Sequence, residues 1–213
     1  DRDVKVFQPS ESNHGLTNNE INELCGDKNG RMYIRSGNDL IKLDIYTEQF
    51  TCLRQKGVYG LFCKKDTLWV SCADGIYYYT GQGTELTFFA RVQKGFVGRA
   101  LYVDKETVWV VTRKYLVAIS REDPLRQEIL LTLDKGNCIL GDSSGNIWVG
   151  AWNGLYRISP NRETTAYVSH SGMGELSDNQ VRCVLEDDFK HIWVGTFKGI
   201  DCYDTVTDTW SHY

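Results

Sequence analysis

One pattern recurs along the chain and constrains its fold more than any other feature. An aromatic residue within a short apolar run is followed seven positions later by leucine or isoleucine. The aromatic residues are separated by 36, 40, 39 and 45 residues, and they are Tyr33, Trp69, Trp109, Trp148 and Trp193. A period near forty residues, built from short strands, is typical of β-propeller blades. Because one such unit cannot bury its own faces, the repeats are expected to pack on one another.

The repeat is clearest between residues 181 and 204. Apolar and polar residues alternate over 181–185, which predicts a strand with one buried face. A polar turn then leads to a second apolar run at 192–196, and Gly199 marks a hairpin into a third run at 200–203. A fourth, outer strand is expected after each meander. The sequence therefore predicts an all-β chain of four-stranded antiparallel blades.

Counting these units gives one β-propeller array of five blades over residues 1–213. The blades are predicted at about 20–54, 58–90, 96–133, 137–168 and 180–213. An extra outer strand is predicted over residues 1–7, with no partner in these five blades. That strand favours an open arc to which further blades are added. A closed five-bladed ring is the competing interpretation, and it would leave residues 1–7 redundant.

Composition excludes several kinds of function. The formal net charge of −4 and the absence of a basic run argue against a nucleic-acid surface. No apolar run approaches the length of a membrane span. The chain begins Asp-Arg-Asp without a signal peptide, which leaves export open. The seven cysteines lack metal-site spacing, and most fall in predicted strands as small apolar residues; a disulfide or redox role is the alternative.

No catalytic constellation is recognisable. Aspartates recur at the same turn of several repeats, where an Asp side chain caps the turn, and they are Asp27, Asp104, Asp142 and Asp187. A residue repeated in several blades cannot be a unique catalyst. The histidines are scattered without a nucleophile motif, and they are His14, His170, His191 and His212. We therefore expect no enzyme activity, no metal and no cofactor.

Large side chains collect at one hairpin position. The residues just after the aromatic strand are Gly37, Ala73, Arg113, Trp152 and Phe197. Aromatic rings stack on sugars, and arginine pairs with carboxylate or sulfate. Two similar long loops bring turn residues to the same edge of the array. The candidate ligand-binding residues are Arg113, Trp152, Phe197, Asn18 and Asp178. Alternatively, these rings cover the blade ends, contact another domain or bind a protein.

The segment 176–204 resembles the two-component regulator propeller repeat. That family pattern joins a Leu-Ser-x-Asn loop, a Glu-Asp turn and an Ile-Trp-Ile-Gly-Thr strand. The blade around Trp148 also fits, except that Ala151 replaces the threonine, whereas the first three blades depart further. The resemblance implies the periplasmic sensor of a hybrid two-component histidine kinase and response regulator, an inner-membrane protein.

In that family the arrays usually close as seven-bladed rings, so the five blades here are expected to form part of one. The resemblance implies an oligosaccharide ligand, a homodimer of the full-length sensor, and partners among the remaining blades and downstream domains. Kinase and DNA-binding activities are not expected of this chain. The alternative function is a propeller scaffold that mediates dimerisation or protein contacts while the ligand binds elsewhere.

Overall fold

The structure is a computed structural model that describes residues 5–9, 15–54, 56–170, 173–174 and 176–213. Strands form five four-stranded antiparallel sheets, and each sheet takes its strands in sequence order. The described residues contain no α-helix and one short 3₁₀ turn, Gln93–Gly95. The predicted fold class, an all-β array of five four-stranded blades, is confirmed. The chain divides into two compact units, residues 1–98 (unit 1) and 99–213 (unit 2).

Unit 1 contains the first two blades. The first blade is formed by β1 (Ile21–Gly26), β2 (Arg31–Ser36), β3 (Asp39–Asp44) and β4 (Gln49–Arg54). The second is formed by β5 (Val58–Lys64), β6 (Thr67–Cys72), β7 (Gly75–Tyr79) and β8 (Thr87–Ala90). One apolar cluster joins them, since Tyr33 and Leu40 of the first blade pack with Val58, Leu68 and Tyr79 of the second.

Unit 2 contains the other three blades. The third is formed by β9 (Gly98–Val103), β10 (Thr107–Thr112), β11 (Tyr115–Ser120) and β12 (Gln127–Thr132). The fourth is formed by β13 (Cys138–Gly141), β14 (Ile147–Ala151), β15 (Gly154–Ile158) and β16 (Thr164–Tyr167). A two-stranded ribbon follows, β17 (Ser169–His170) and β18 (Met173–Gly174). The fifth is formed by β19 (Val181–Glu186), β20 (His191–Thr196), β21 (Ile200–Asp204) and β22 (Thr209–His212).

The aromatic repeat supplies the cores between neighbouring blades of each unit. Burial at equivalent positions is expected of Trp69, Trp109, Trp148 and Trp193; the first three are buried, and so is Tyr33. Trp193 is only half-buried, and Ile200, seven positions later, remains 50% exposed. In the blades before it, the equivalent Leu or Ile is fully buried. One face of the fifth blade packs on the fourth, whereas the other face, which carries Leu185 and Ile200, is partly uncovered.

Each repeated turn aspartate binds the aromatic residue of its own blade. The indole Nε1 donates a hydrogen bond to Asp104 in the third blade, to Asp142 in the fourth and to Asp187 in the fifth, over 2.6–2.8 Å. The other carboxylate oxygen accepts backbone N–H groups of the turn. These aspartates therefore have two roles. They cap the turn, as predicted, and they accept a hydrogen bond from the indole N–H, which packing removes from water.

Asp187 gives this turn a pH dependence. Partial burial opposes its ionisation, but hydrogen bonds from Trp193 and His191 prevail and lower its pKa from 3.8 to about 2. Its contribution to stability is therefore fully present above pH 3.8 and is lost as the pH falls toward 2. We expect Asp187→Asn to destabilise the protein at neutral pH, with a difference that shrinks through this window. Urea unfolding midpoints measured over a pH series would show this change. Asp188→Asn, at the exposed neighbouring residue, is the control, and its midpoints should run parallel to those of wild type. A difference between Asp187→Asn and wild type that does not change with pH would contradict the assignment.

The extra outer strand predicted over residues 1–7 is wrong for its described part. Residues 5–8 form no strand, whereas residues 1–4 lie outside the described residues. Pro9 has no N–H to donate and makes only an isolated bridge to Leu16. This segment is instead held by side chains, with Lys5 paired to Glu48 and the Phe7 ring 5.3 Å from that of Phe50. The described part of this segment therefore does not support the prediction of an open arc, which was based on an unpaired strand.

Candidate functional site

The predicted binding residues of unit 2 lie along one edge of its sheets. In a blade with strands in sequence order, the hairpin between the second and third strands lies on the same edge as the loop that enters the first strand. We call this edge the hairpin rim, and in unit 2 it comprises residues 113–114, 134–137, 152–153, 176–182 and 197–199. Four of the five predicted site residues belong to it; Asn18 belongs to unit 1.

The hairpin of the fourth blade places Trp152 on the rim. Its backbone N–H donates to the Asp134 carbonyl over 2.8 Å, and the Asn153 side chain accepts the Asp134 N–H over 3.1 Å. Gly154 completes the turn at φ +131°, where an added Cβ would meet the Tyr167 carbonyl oxygen at 2.7 Å. These two hydrogen bonds hold the hairpin beside the loop that carries Lys135, and the Lys135 Nζ lies 3.5 Å from the centre of the Trp152 ring in a cation–π contact.

Arg182 joins the two predicted aromatic residues. Its guanidinium lies 5.5 Å from the Trp152 ring centre and 5.6 Å from the Phe197 ring centre. The Asn137 side chain donates to the Val181 and Arg182 carbonyls, and this ties β19 to the loop that enters β13. Sequence analysis missed Arg182, since a polar residue in an alternating strand looks like any solvent-facing position. Only the fold shows the two rings on either side of it.

Phe197 and Asp178 lie at the fifth blade. The Phe197 side chain is 65% exposed, and its N–H donates to the Gln180 carbonyl over 3.1 Å. Asp178 accepts the Gln180 N–H over 2.8 Å, and its other oxygen lies 3.3 Å from the Lys198 Nζ. Phe197 therefore offers an open ring face, whereas both carboxylate oxygens of Asp178 are engaged in holding the loop.

Arg113 and Asn18 differ in their settings. Arg113 is exposed in the hairpin of the third blade, and its carbonyl accepts the Gly136 N–H over 3.1 Å. This contact sets it beside the loop that carries Lys135. In unit 1, the Asn18 side chain accepts the Glu20 N–H over 2.8 Å, and its backbone exchanges two hydrogen bonds with the Ser36 hydroxyl. Asn18 therefore shapes its own loop.

The hairpin rim of unit 2 is electropositive, although the chain has a net charge of −4. Its cations are Arg113, Lys114, Lys135, Arg182 and Lys198, and its acids are Asp134 and Asp178. Two of the cations lie against aromatic rings, which fixes their positions without neutralising them. An array of this kind can bind a polyanionic or partly apolar ligand.

The opposite edge of unit 2 carries a separate polar cleft of about 390 Å³. It is lined by Glu106, Thr107, Arg126, Glu128 and Arg162, among others. The Arg162 guanidinium lies 5.2 Å from the Trp109 ring and 3.3 Å from a Glu128 oxygen. Its acids and bases balance, in contrast to those of the hairpin rim.

Within the described ranges, no group of three or more His, Cys, Asp or Glu side chains is arranged to hold a metal ion. No helix in the part of the chain that the structure describes is long and apolar enough to cross a membrane.

Comparison with known proteins gives a family for one repeat. A family model described as two component regulator propeller matches residues 175–198, the loop and aromatic strand of the fifth blade. This stretch of the chain is similar to a two-component regulator propeller repeat. This match confirms the resemblance recognised in the sequence. No curated protein matches the chain.

Solved structures share the fold across almost the whole chain. An extracellular domain of a protein assigned as the one-component system BT4673 from Bacteroides thetaiotaomicron superposes with a TM-score of 0.74 at 17% identity, over 92% of this chain and 28% of that one. The extracellular domain assigned to the hybrid two-component system BT3049 of the same organism gives 0.73 at 17% identity, over 93% and 29%. The chain thus spans less than a third of either structure.

A propeller enzyme also shares the fold. Virginiamycin B lyase from Staphylococcus aureus superposes with a TM-score of 0.71 at 12% identity, over 91% of this chain and 69% of that one. At such identities the likeness establishes the architecture alone. The two-component repeat at 175–198 therefore carries the functional argument, together with the hairpin rim.

Proposed function

We propose that this chain is part of the extracytoplasmic, periplasmic input domain of a hybrid two-component regulator, where its propeller senses a ligand. The repeat at 175–198 supports the family, and the two superposed extracellular domains have names that fit such a role. The five blades would belong to a seven-bladed ring. The remaining blades, downstream domains of the same protein and a second copy in a homodimer would be its partners.

We propose an acidic oligosaccharide as the ligand class. The carrying observation is the row Lys135, Trp152, Arg182 and Phe197, in which aromatic rings and cations alternate along the hairpin rim. The open face of Phe197 suits stacking on a sugar ring, and the two positioned cations suit carboxylate or sulfate groups. Exposed Arg113 extends the same charge toward the third blade. Asp178 and Asn18 would act by shaping the loops.

The test is direct binding to the complete extracytoplasmic region. A glycan array with neutral, uronate-containing and sulfated oligosaccharides would find the class, and calorimetry would then give affinities. We expect Arg182→Gln to weaken binding by about tenfold or more, since a charge-assisted contact contributes roughly 1.5–3 kcal/mol. Trp152→Ala should act similarly, because it releases both cations from their positions.

Arg162→Gln is the matched control, since Arg162 also lies over an indole but on the opposite edge. It should leave affinity unchanged. Circular dichroism would verify folding of every variant. Equal affinity of wild type, Arg182→Gln, Trp152→Ala and Arg113→Ala would remove the ligand from this rim.

A scaffold function is the second candidate, and the fifth blade favours it. Leu185 is 63% exposed and Ile200 50% exposed on its sheet. Such an apolar face is suited to contact with protein. If the glycan array shows no binding while Leu185→Glu changes the oligomeric state in sedimentation, the propeller acts as a scaffold and the ligand binds elsewhere.

A further inference from the structure

Two cysteines from neighbouring blades of unit 1 meet between their first strands. The Cys25 and Cys63 sulfur atoms lie 2.8 Å apart, one in β1 and the other in β5. A disulfide places its sulfurs about 2.0 Å apart, so a movement of about 0.8 Å closes the gap. Both cysteines are partly buried and pack against the apolar cluster of unit 1, as expected of small apolar residues in strands, and their closeness makes the alternative of a disulfide specific to this pair.

The approach of the two strands is held by an independent contact. The Glu23 carboxylate of β1 accepts the Leu61 N–H of β5 over 3.1 Å. Both contacts join residues 38 positions apart, so the two strands lie side by side in one register over this stretch. The Tyr33 and Tyr79 rings, 6.0 Å apart and edge to face, pack the same interface. The two thiols are consequently held together by the fold on both sides.

We propose that Cys25 and Cys63 form a disulfide that links the first two blades covalently. The oxidant is a disulfide of the exchange type, such as glutathione disulfide or a protein disulfide donor. The thiolate of one cysteine attacks it, forms a mixed disulfide and releases one thiol. The thiolate of the other cysteine then attacks the protein sulfur of the mixed disulfide and releases the second thiol. Two protein thiols are oxidised and one donor disulfide is reduced to two thiols.

The environment indicates when this bond forms. The neighbouring Cys63 thiol and burial both raise the pKa of Cys25, so little thiolate is present once the blades have packed. Oxidation is therefore expected during folding, before the interface closes. The same packing then shields the bond from reductants, as is usual for structural disulfides in exported proteins.

The test compares protein refolded in glutathione disulfide with protein refolded in reductant. After unfolding and alkylation, non-reduced peptide mapping should find Cys25 and Cys63 in one linked peptide pair. The melting temperature of oxidised wild type should exceed that of the reduced form by on the order of 10 °C, the usual effect of closing such a loop. Cys25→Ala, Cys63→Ala and the double variant should abolish this difference, and the double variant should melt no lower than either single one.

Cys52→Ala is the control, since this exposed cysteine lies in β4, away from the pair; it should keep both the linked peptides and the temperature difference. Alkylation of both Cys25 and Cys63 in the oxidised, unfolded sample would overturn the proposal. A linked pair between other cysteines would also overturn it.

Discussion

Replacing Trp148 with alanine should cost about 3–5 kcal/mol of unfolding free energy, the range for removing a large aromatic side chain from a packed core. Trp148 is fully buried and lies 5.7 Å from both the Tyr167 and Tyr203 rings. It packs with Val181 and Val194 of the fifth blade. Because the surrounding rings and strands belong to two sheets, they can collapse only partly into the space left behind.

Trp193→Ala is the matched comparison, since it removes the same side chain from the equivalent position of the next blade. Trp193 is only half-buried, so we expect a loss of about 1–2 kcal/mol. Urea unfolding of both variants, followed by circular dichroism, would measure the difference. Equal losses would contradict the assignment of the buried face to the fourth blade and of the uncovered face to the fifth.

The repeat made the architecture predictable. The period of the aromatic residues gave the five blades, and the Leu or Ile seven positions later is buried in every blade but the fifth. The signal holds because it is local: each blade contains its own aromatic residue, turn and hairpin. The outer strand over residues 1–7 is predicted only from the apolar residues Val4, Val6 and Phe7, without a partner strand. Residues 5–7 form no strand in the structure. The short ribbon of β17 and β18 was missed because two-residue strands leave no period.

The candidate site was predictable only in part. The hairpin position of Trp152 and Phe197 follows from the register of the repeat, so the sequence could place both on one edge. Arg182 lies 30 residues from Trp152, and nothing local to it predicts a cation between two rings. The pairing of Cys25 with Cys63 did have a signal, because their separation is close to one blade repeat. Residues one repeat apart lie side by side in adjacent blades. The usual cysteine spacings of metal sites and small disulfide-rich proteins do not include such a separation.

Asp142→Ala should cost about 2–4 kcal/mol, because it leaves several donors unpaired at once. Asp142 is buried; one carboxylate oxygen accepts the Trp148 Nε1–H over 2.8 Å, and the other accepts the Ser144 and Asn146 N–H groups over 2.9 and 2.7 Å. The indole N–H has no access to water once Trp148 is packed. Asp142→Asn should also destabilise, since its amide can present only one oxygen to donors on both sides.

Asp188→Ala is the control for Asp142→Ala, since Asp188 is an exposed aspartate in a turn of the same type. A change there should stay within about 0.5 kcal/mol. Unfolding by urea would give the free energies, and the ¹H–¹⁵N resonance of the Trp148 indole would report its hydrogen bond directly. A loss for Asp142→Ala as small as that for Asp188→Ala would mean that packing alone holds the tryptophan. The recurrence of aspartate at this turn would then reflect turn geometry and not the link between the turn and the core.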